Sequence, residues 1–159
     1  MSSMDLYLVL YRDYFWVSIM AKEVFSRVIR YLRLLSKEYD IVEEDKEIVV
    51  YENIDDKKEE IHIRFEYPWI DTFWRGPSVA EFRKDPEKYR LFLELALRLN
   101  SVLREAKIGL GDDDHVYAVI HSRVDALTFD VFESEYNSLP YAIKAMYEQI
   151  ETVKSYRSM

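Results

Sequence analysis

The chain has 159 residues, no cysteine and a formal net charge of −8. Its length suits a single α+β domain spanning residues 1–159, burying roughly two thirds of its unfolded surface without a disulfide or metal staple. The missing thiols exclude thiolate nucleophiles, iron-sulfur clusters and cysteine-based zinc sites and fit a reducing, cytoplasmic setting, while the acidity argues against nucleic acid as a main partner.

Most of the charge falls between Glu43 and Glu60, where nine acids face three lysines. The start Met1–Asp5 lacks the basic residues of a signal peptide. The apolar run Tyr14–Ala21 is shorter than the ~20 residues a membrane span requires, so no membrane partner is expected. Asn stands only at 53, 100 and 137 and Gln only at 149, against 33% charged residues, a balance seen in heat-adapted proteins.

In chain order, Asp5–Tyr11 alternates leucines with Tyr7, Val9 and Tyr11 and predicts a first strand. From Ser18, a candidate N-cap, Val24, Phe25, Val28, Ile29, Leu32 and Leu35 recur at helical spacing to about Glu38. Glu47–Asn53 and Glu60–Tyr67 predict a β-hairpin whose second strand puts Ile61, Ile63 and Phe65 on one face and His62, Arg64 and Glu66 on the other. The segment Pro68–Pro77 shows no clear period. Asp85-Pro86 starts a helix with the stripe Phe92, Ala96, Leu99, Leu103 and Ala106, and Gly109 suits its left-handed C-terminal cap. Val116–Ser122 and Leu127–Glu133 predict a second hairpin with Tyr117, His121 and Asp130 on its polar face. A last helix starts near Ser138, with Pro140 in its first turn.

The resulting order β-α-β-β-α-β-β-α resembles, in its first six elements, the split βαβ pattern of ferredoxin-like domains. The resemblance implies a mixed or antiparallel sheet with helices mainly on one face, and a C-terminal strand and helix added to it. It also makes a homodimer paired sheet to sheet a first expectation.

Four features invite a functional reading. In "IGLGDDDHVY", residues 108–117, the glycines follow a helix and precede a strand, the reverse of a dinucleotide fingerprint, and the EF-hand spacing is absent. Asp112, Asp114 and His115 remain a candidate divalent-metal set, set against a plain helix stop and acidic turn. The predicted polar sheet face carries Tyr7, Tyr11, His62, Arg64, Glu66, Tyr117, His121 and Asp130. There a His121–Asp130 pair would serve as an oriented base and Arg64 would receive an anion. Trp69, Phe73, Trp74 and Arg75 have the composition of an interface, unless the indoles fill the core edge. Finally, Arg27, Arg30, Arg33 and Lys37 line one side of a helix, a stripe that usually faces solvent. No cofactor is predicted beyond a possible divalent metal. The balance favours a module that binds a protein partner or itself, with a small-molecule site or enzyme on the polar face as the alternative.

Overall fold

The structure, a computed structural model, describes residues 3–157, with side chains from Val17 onward. It opens with a long helix, α1 (Ser3–Leu34), followed by four strands in succession: β1 (Glu38–Glu43), β2 (Glu47–Ile54), β3 (Lys57–Glu66) and β4 (Trp69–Ser78). A 3-10 turn (Ala80–Lys84) leads into α2 (Pro86–Val102), then β5 (Lys107–Leu110), β6 (His115–Arg123) and α3 (Phe129–Ser155). The six strands form one antiparallel sheet in the order β1-β2-β3-β4-β6-β5.

Turn chemistry explains the meander. Asp55 and Asp56 both take positive φ, 48° and 65°, as a two-residue hairpin turn with the twist of its strands demands, and aspartate tolerates that region better than most residues. Between β5 and β6, Asp114 at φ 60° closes a short loop in which Gly111 N–H donates to the His115 carbonyl at 2.9 Å. A side chain at Gly111 would lie 2.6 Å from Asp113 Oδ1 and 2.7 Å from the Tyr117 ring, so any larger residue there would displace both side chains. At the far end of β4 the register with β6 slips by one residue between Arg75 and Ser78. Pro77, which has no N–H to give a ladder, sits in that bulge.

Period-two alternation sends one set of strand residues under the helices. Ile48, Val50 and Ile54 of β2, Ile61 and Ile63 of β3, Ile70 and Trp74 of β4, and Val116, Ala118 and Ile120 of β6 are buried there. Helical stripes meet them: Val24, Phe25, Val28 and Leu32 from α1, Phe92 and Leu99 from α2, and Tyr136 through Val153 from α3. Two part-buried carboxylates on this side are held by protein donors. Glu59 accepts from Trp74 Nε1 and from the Tyr147 hydroxyl, each at 2.7 Å. Glu52 accepts from the Tyr136 hydroxyl at 2.8 Å and pairs with Lys37 at 2.6 Å. Burial first, then the neighbouring carboxylate, pushes both phenols well above the ordinary tyrosine range.

Several expectations are corrected. The ferredoxin-like order is not matched, since β1–β4 run without an intervening helix and the helical crossover is α2, between β4 and β5. Asp5–Tyr11 lies within α1 and is helical, so Tyr7 and Tyr11 do not stand on the sheet, and Ser18 lies inside that helix rather than capping it. Every residue from Leu6 to Tyr11 is apolar or aromatic, so the alternation there separated aliphatic from phenolic side chains, not buried from solvated ones. Leu127–Glu133 is not a strand: Thr128 caps α3 by accepting from Val131 N–H, and Asp130 lies exposed in its first turn, beside the positive end of the helix dipole. Pro140 therefore falls inside α3, which continues because Tyr136, Leu139, Ala142 and Ile143 are buried on both sides of it. Helix α2 ends at Val102, and Gly109 belongs to β5 with no positive φ.

Candidate functional site: the open face of the sheet

With the helices on one side, the second set of strand residues forms a face in cross-strand rows that, among the described residues, no helix covers. The first row runs Val49, His62, Phe73, Val119 and Lys107 through β2, β3, β4, β6 and β5. Phe73 is its centre: the His62 ring stacks on it with centroids 5.2 Å apart and planes at 14°, and the Arg64 guanidinium lies 5.1 Å from its centroid. The next row runs Glu47, Arg64, Asp71 and His121, acid and base alternating across four strands. Its contacts are Arg64–Glu47 at 3.6 Å and His121 Nδ1–Asp71 Oδ1 at 2.7 Å, with His62 Nδ1 also 2.8 Å from Glu47. The third row is Glu66, Trp69 and Arg123, in which Trp69 is 44% exposed and the Arg123 guanidinium sits 5.7 Å from its ring. Glu66, Trp69, Asp71 and His121 outline a shallow hollow of about 420 Å³.

Toward the β5–β6 turn, Arg75 is a hub. Its Nε and Nη2 donate to Asp113 at 3.2 and 2.9 Å, and Nε also reaches the Tyr117 hydroxyl at 3.2 Å. The His115 backbone N–H and then Arg75 hold the Asp113 carboxyl below its ordinary range, and Asp113 in turn holds the Arg75 guanidinium above its own. All three histidines of the chain, His62, His115 and His121, therefore stand on this face, each against a carboxylate.

The structure thus gathers His62, Arg64, Glu66, Tyr117 and His121 as the alternation predicts, and adds Trp69, Phe73 and Arg75 from β4. Trp74 goes the other way and is 1% exposed among the helices. Asp130 is on α3, so the imidazole's carboxylate partner is Asp71. The period of β4 could have revealed Asp71: Ile70, Thr72 and Trp74 alternate with Trp69, Asp71, Phe73 and Arg75, but aromatic residues in both sets hide the contrast. Glu47, Val119, Arg123 and Asp113 are the other members that sequence reading missed. The His121–Asp71 pair orients an imidazole, yet His121 is 63% exposed and no enclosed volume surrounds it.

In the β5–β6 turn Asp114 pairs with Arg83 at 2.6 Å, while Asp113, not Asp112, meets His115 and Arg75. Among the described residues no three His, Asp or Glu side chains converge as metal ligands. Of the basic stripe, Arg30 and Arg33 are exposed, as a solvated helix face would have them, while Arg27 donates to the Leu127 carbonyl and Glu23, Arg33 to the Tyr39 hydroxyl, and Lys37 to Glu52. A larger hollow of about 700 Å³ lies at the C-terminal end of α3, bordered by Asp55, Tyr147, Glu148 and Glu151 and by no residue of the open sheet face. No described helix is long and apolar enough to cross a membrane.

No family model matches the chain, and no curated protein does. Among solved structures, a chain of the HopA1-SchA chaperone-effector complex superposes with a TM-score of 0.57 over 81% of this chain and 97% of its own, at 13% identity. The likeness is one of fold.

Proposed function

We propose that the protein is a polypeptide-binding module and that the open face of the sheet is its contact surface. The observation that carries this is the half-buried aromatic and apolar row His62, Phe73 and Val119, bordered by the exposed Trp69 and flanked by a ladder of alternating charges. Such a surface has the apolar centre and the polar rim of an interface, with a bulky exposed indole as anchor. The ladder is already paired within the protein, so a partner meets oriented charges rather than bare ones. Similarity of fold to a chain from a chaperone-effector complex supports the same reading.

The test is an array of unstructured 15-residue peptides probed with the wild-type protein and with the Trp69→Ala, Phe73→Ala double variant. Wild type binds a subset, and the double variant loses that subset while its thermal midpoint stays within a few degrees. Leu97→Ala, on the exposed side of α2, keeps the binding. Retention of the full binding pattern by the double variant would refute the face as the contact surface. A second copy of the chain is the other occupant this face suits, and it would show as a dimer in sedimentation that Trp69→Ala dissociates.

A further inference from the structure

The two outer edges of the sheet are built in opposite ways. At β5 the edge is closed: Asn100, from α2, accepts from the Ile108 N–H at 2.7 Å and donates to the Ile108 carbonyl at 2.8 Å. One side-chain amide thereby occupies the backbone pair that a neighbouring strand would use. At β1, among the described residues, no strand and no such side chain covers the outer side, and Ile41 and Val42 are 43% and 62% exposed. An uncovered edge is a template for a further strand.

The charge around this edge says which strand. Residues 38–60 hold eleven acids and three lysines, a net −8 equal to that of the whole chain, so everything outside them is balanced. Along β1 the cross-strand register puts Glu38 and Asp40 on the open face, opposite Tyr51 and Val49, and Tyr39 and Ile41 on the helix side. Glu43, Glu44 and Asp45 follow at its end. A second copy adding its own β1 in antiparallel register would set Glu38, Asp40 and Glu43 against the same acids, and like charges directly opposite are unfavourable. A strand carrying Lys or Arg at alternate positions meets those acids on one face, and apolar residues between them meet Tyr39 and Ile41 on the other.

We infer that β1 is a docking edge for an extended segment of a protein partner in which basic and apolar residues alternate, added to the sheet as a seventh strand. This inference rests on the polypeptide-binding reading and names its partner's chemistry, at a site apart from the aromatic row. The polar open face then continues directly onto the added strand.

Fluorescence anisotropy tests it with a labelled ten-residue peptide alternating Lys and Val. Its controls are a block isomer with five Lys followed by five Val, an alternating Glu and Val peptide, and the basic peptide N-methylated at alternate residues. The alternating basic peptide binds the wild-type protein, and affinity falls about tenfold or more for the block isomer, the N-methylated form and the Glu38→Lys, Asp40→Lys double variant. Asp40→Asn, which keeps an acceptor for the Tyr51 hydroxyl that donates to Asp40 at 2.9 Å, gives a smaller loss and guards against misfolding of the charge-reversed chain. Equal binding of the block isomer or of the N-methylated peptide reduces the effect to bulk charge and overturns the inference. Loss on Trp69→Ala, Phe73→Ala but not on Glu38→Lys, Asp40→Lys overturns the edge while leaving the face reading intact, whereas absence of any peptide binding overturns both. A wild-type dimer that the charge reversal abolishes overturns it in favour of self-pairing.

Discussion

Phe73 and Trp74 are adjacent in β4, and both are large aromatics in a strand whose sequence shows no simple pattern, yet they do opposite work. Trp74 is sealed beneath α3, its indole nitrogen bound to Glu59 and its ring 5.5 Å from that of Tyr147. Phe73 stands half-buried on the uncovered side, with the His62 ring stacked on it, the Arg64 guanidinium beside it and Val119 across from it. The pleat alone separates them, and the lesson is that burial and availability alternate residue by residue along one strand. Substitutions in β4 should accordingly divide into those that cost stability and those that cost binding.

The largest expected effect is that of Trp74→Ala, which empties a core position and removes one of the two donors to the Glu59 carboxylate. It should lower the unfolding free energy by about 3–5 kcal/mol, read from the denaturant midpoint. Phe73→Ala, one residue away, should cost less than about 1 kcal/mol and act on partner binding instead. A loss comparable to that of Trp74 would erase the proposed division. Next comes Gly76→Ala: an added Cβ would fall 2.2 Å from the Trp74 ring, so the indole must move. Overpacking of this kind costs roughly 1–3 kcal/mol. If Trp74→Ala is the background, most of that cost should vanish, and a double-mutant cycle in thermal unfolding checks it.

Two carboxylates give smaller, opposite pH effects. Burial holds the Glu135 carboxyl above its ordinary 4.5, although the Ser122 hydroxyl donates to it at 2.5 Å. The folded chain therefore keeps that proton more tightly than the unfolded one. The resulting stability is complete below pH 4.5 and fades as pH rises through the elevated value. Glu135→Gln should flatten that part of the pH-stability curve. On the open face Asp113 is held below its ordinary 3.8, so its contribution is present above that value and fades as pH falls through the depressed one. Asp113→Asn should remove only this acid limb, a minor change because the group is exposed. Curves superimposable on wild type in both variants would contradict the assignments.

How much of this was legible beforehand follows from the strength of each local signal. The β2–β3 hairpin was, because its strands are β-branched and its inward Ile61 and Ile63 contrast with His62 and Arg64. Helix α2 was too, because Asp85 accepts from the N–H groups of Glu87 and Lys88 and Pro86 fits a first turn. The stripe Leu103 and Ala106 misplaced its end: both are buried, but in the extended turn toward β5 rather than in helix. The start of α3 was hidden by Leu127, Phe129 and Val131, whose spacing imitates a strand until Thr128 is recognised as a cap. Half of the candidate face was visible from β3 and β6. The remainder depended on β4, where the aromatics occupy both sides of the pleat, and Asp71 could be matched to His121 only through strand pairing between residues fifty positions apart.

The Asn100 bracket on β5 bears on how this molecule can assemble. Growth of a sheet from chain to chain requires every unit to offer two open edges, one to receive and one to extend. Here one of the two is already filled from within, so strand addition at β1 terminates after a single step. With a partner strand on β1 and the Asn100 bracket on β5, both ends of the sheet would be capped, which opposes edge-to-edge stacking into a fibre.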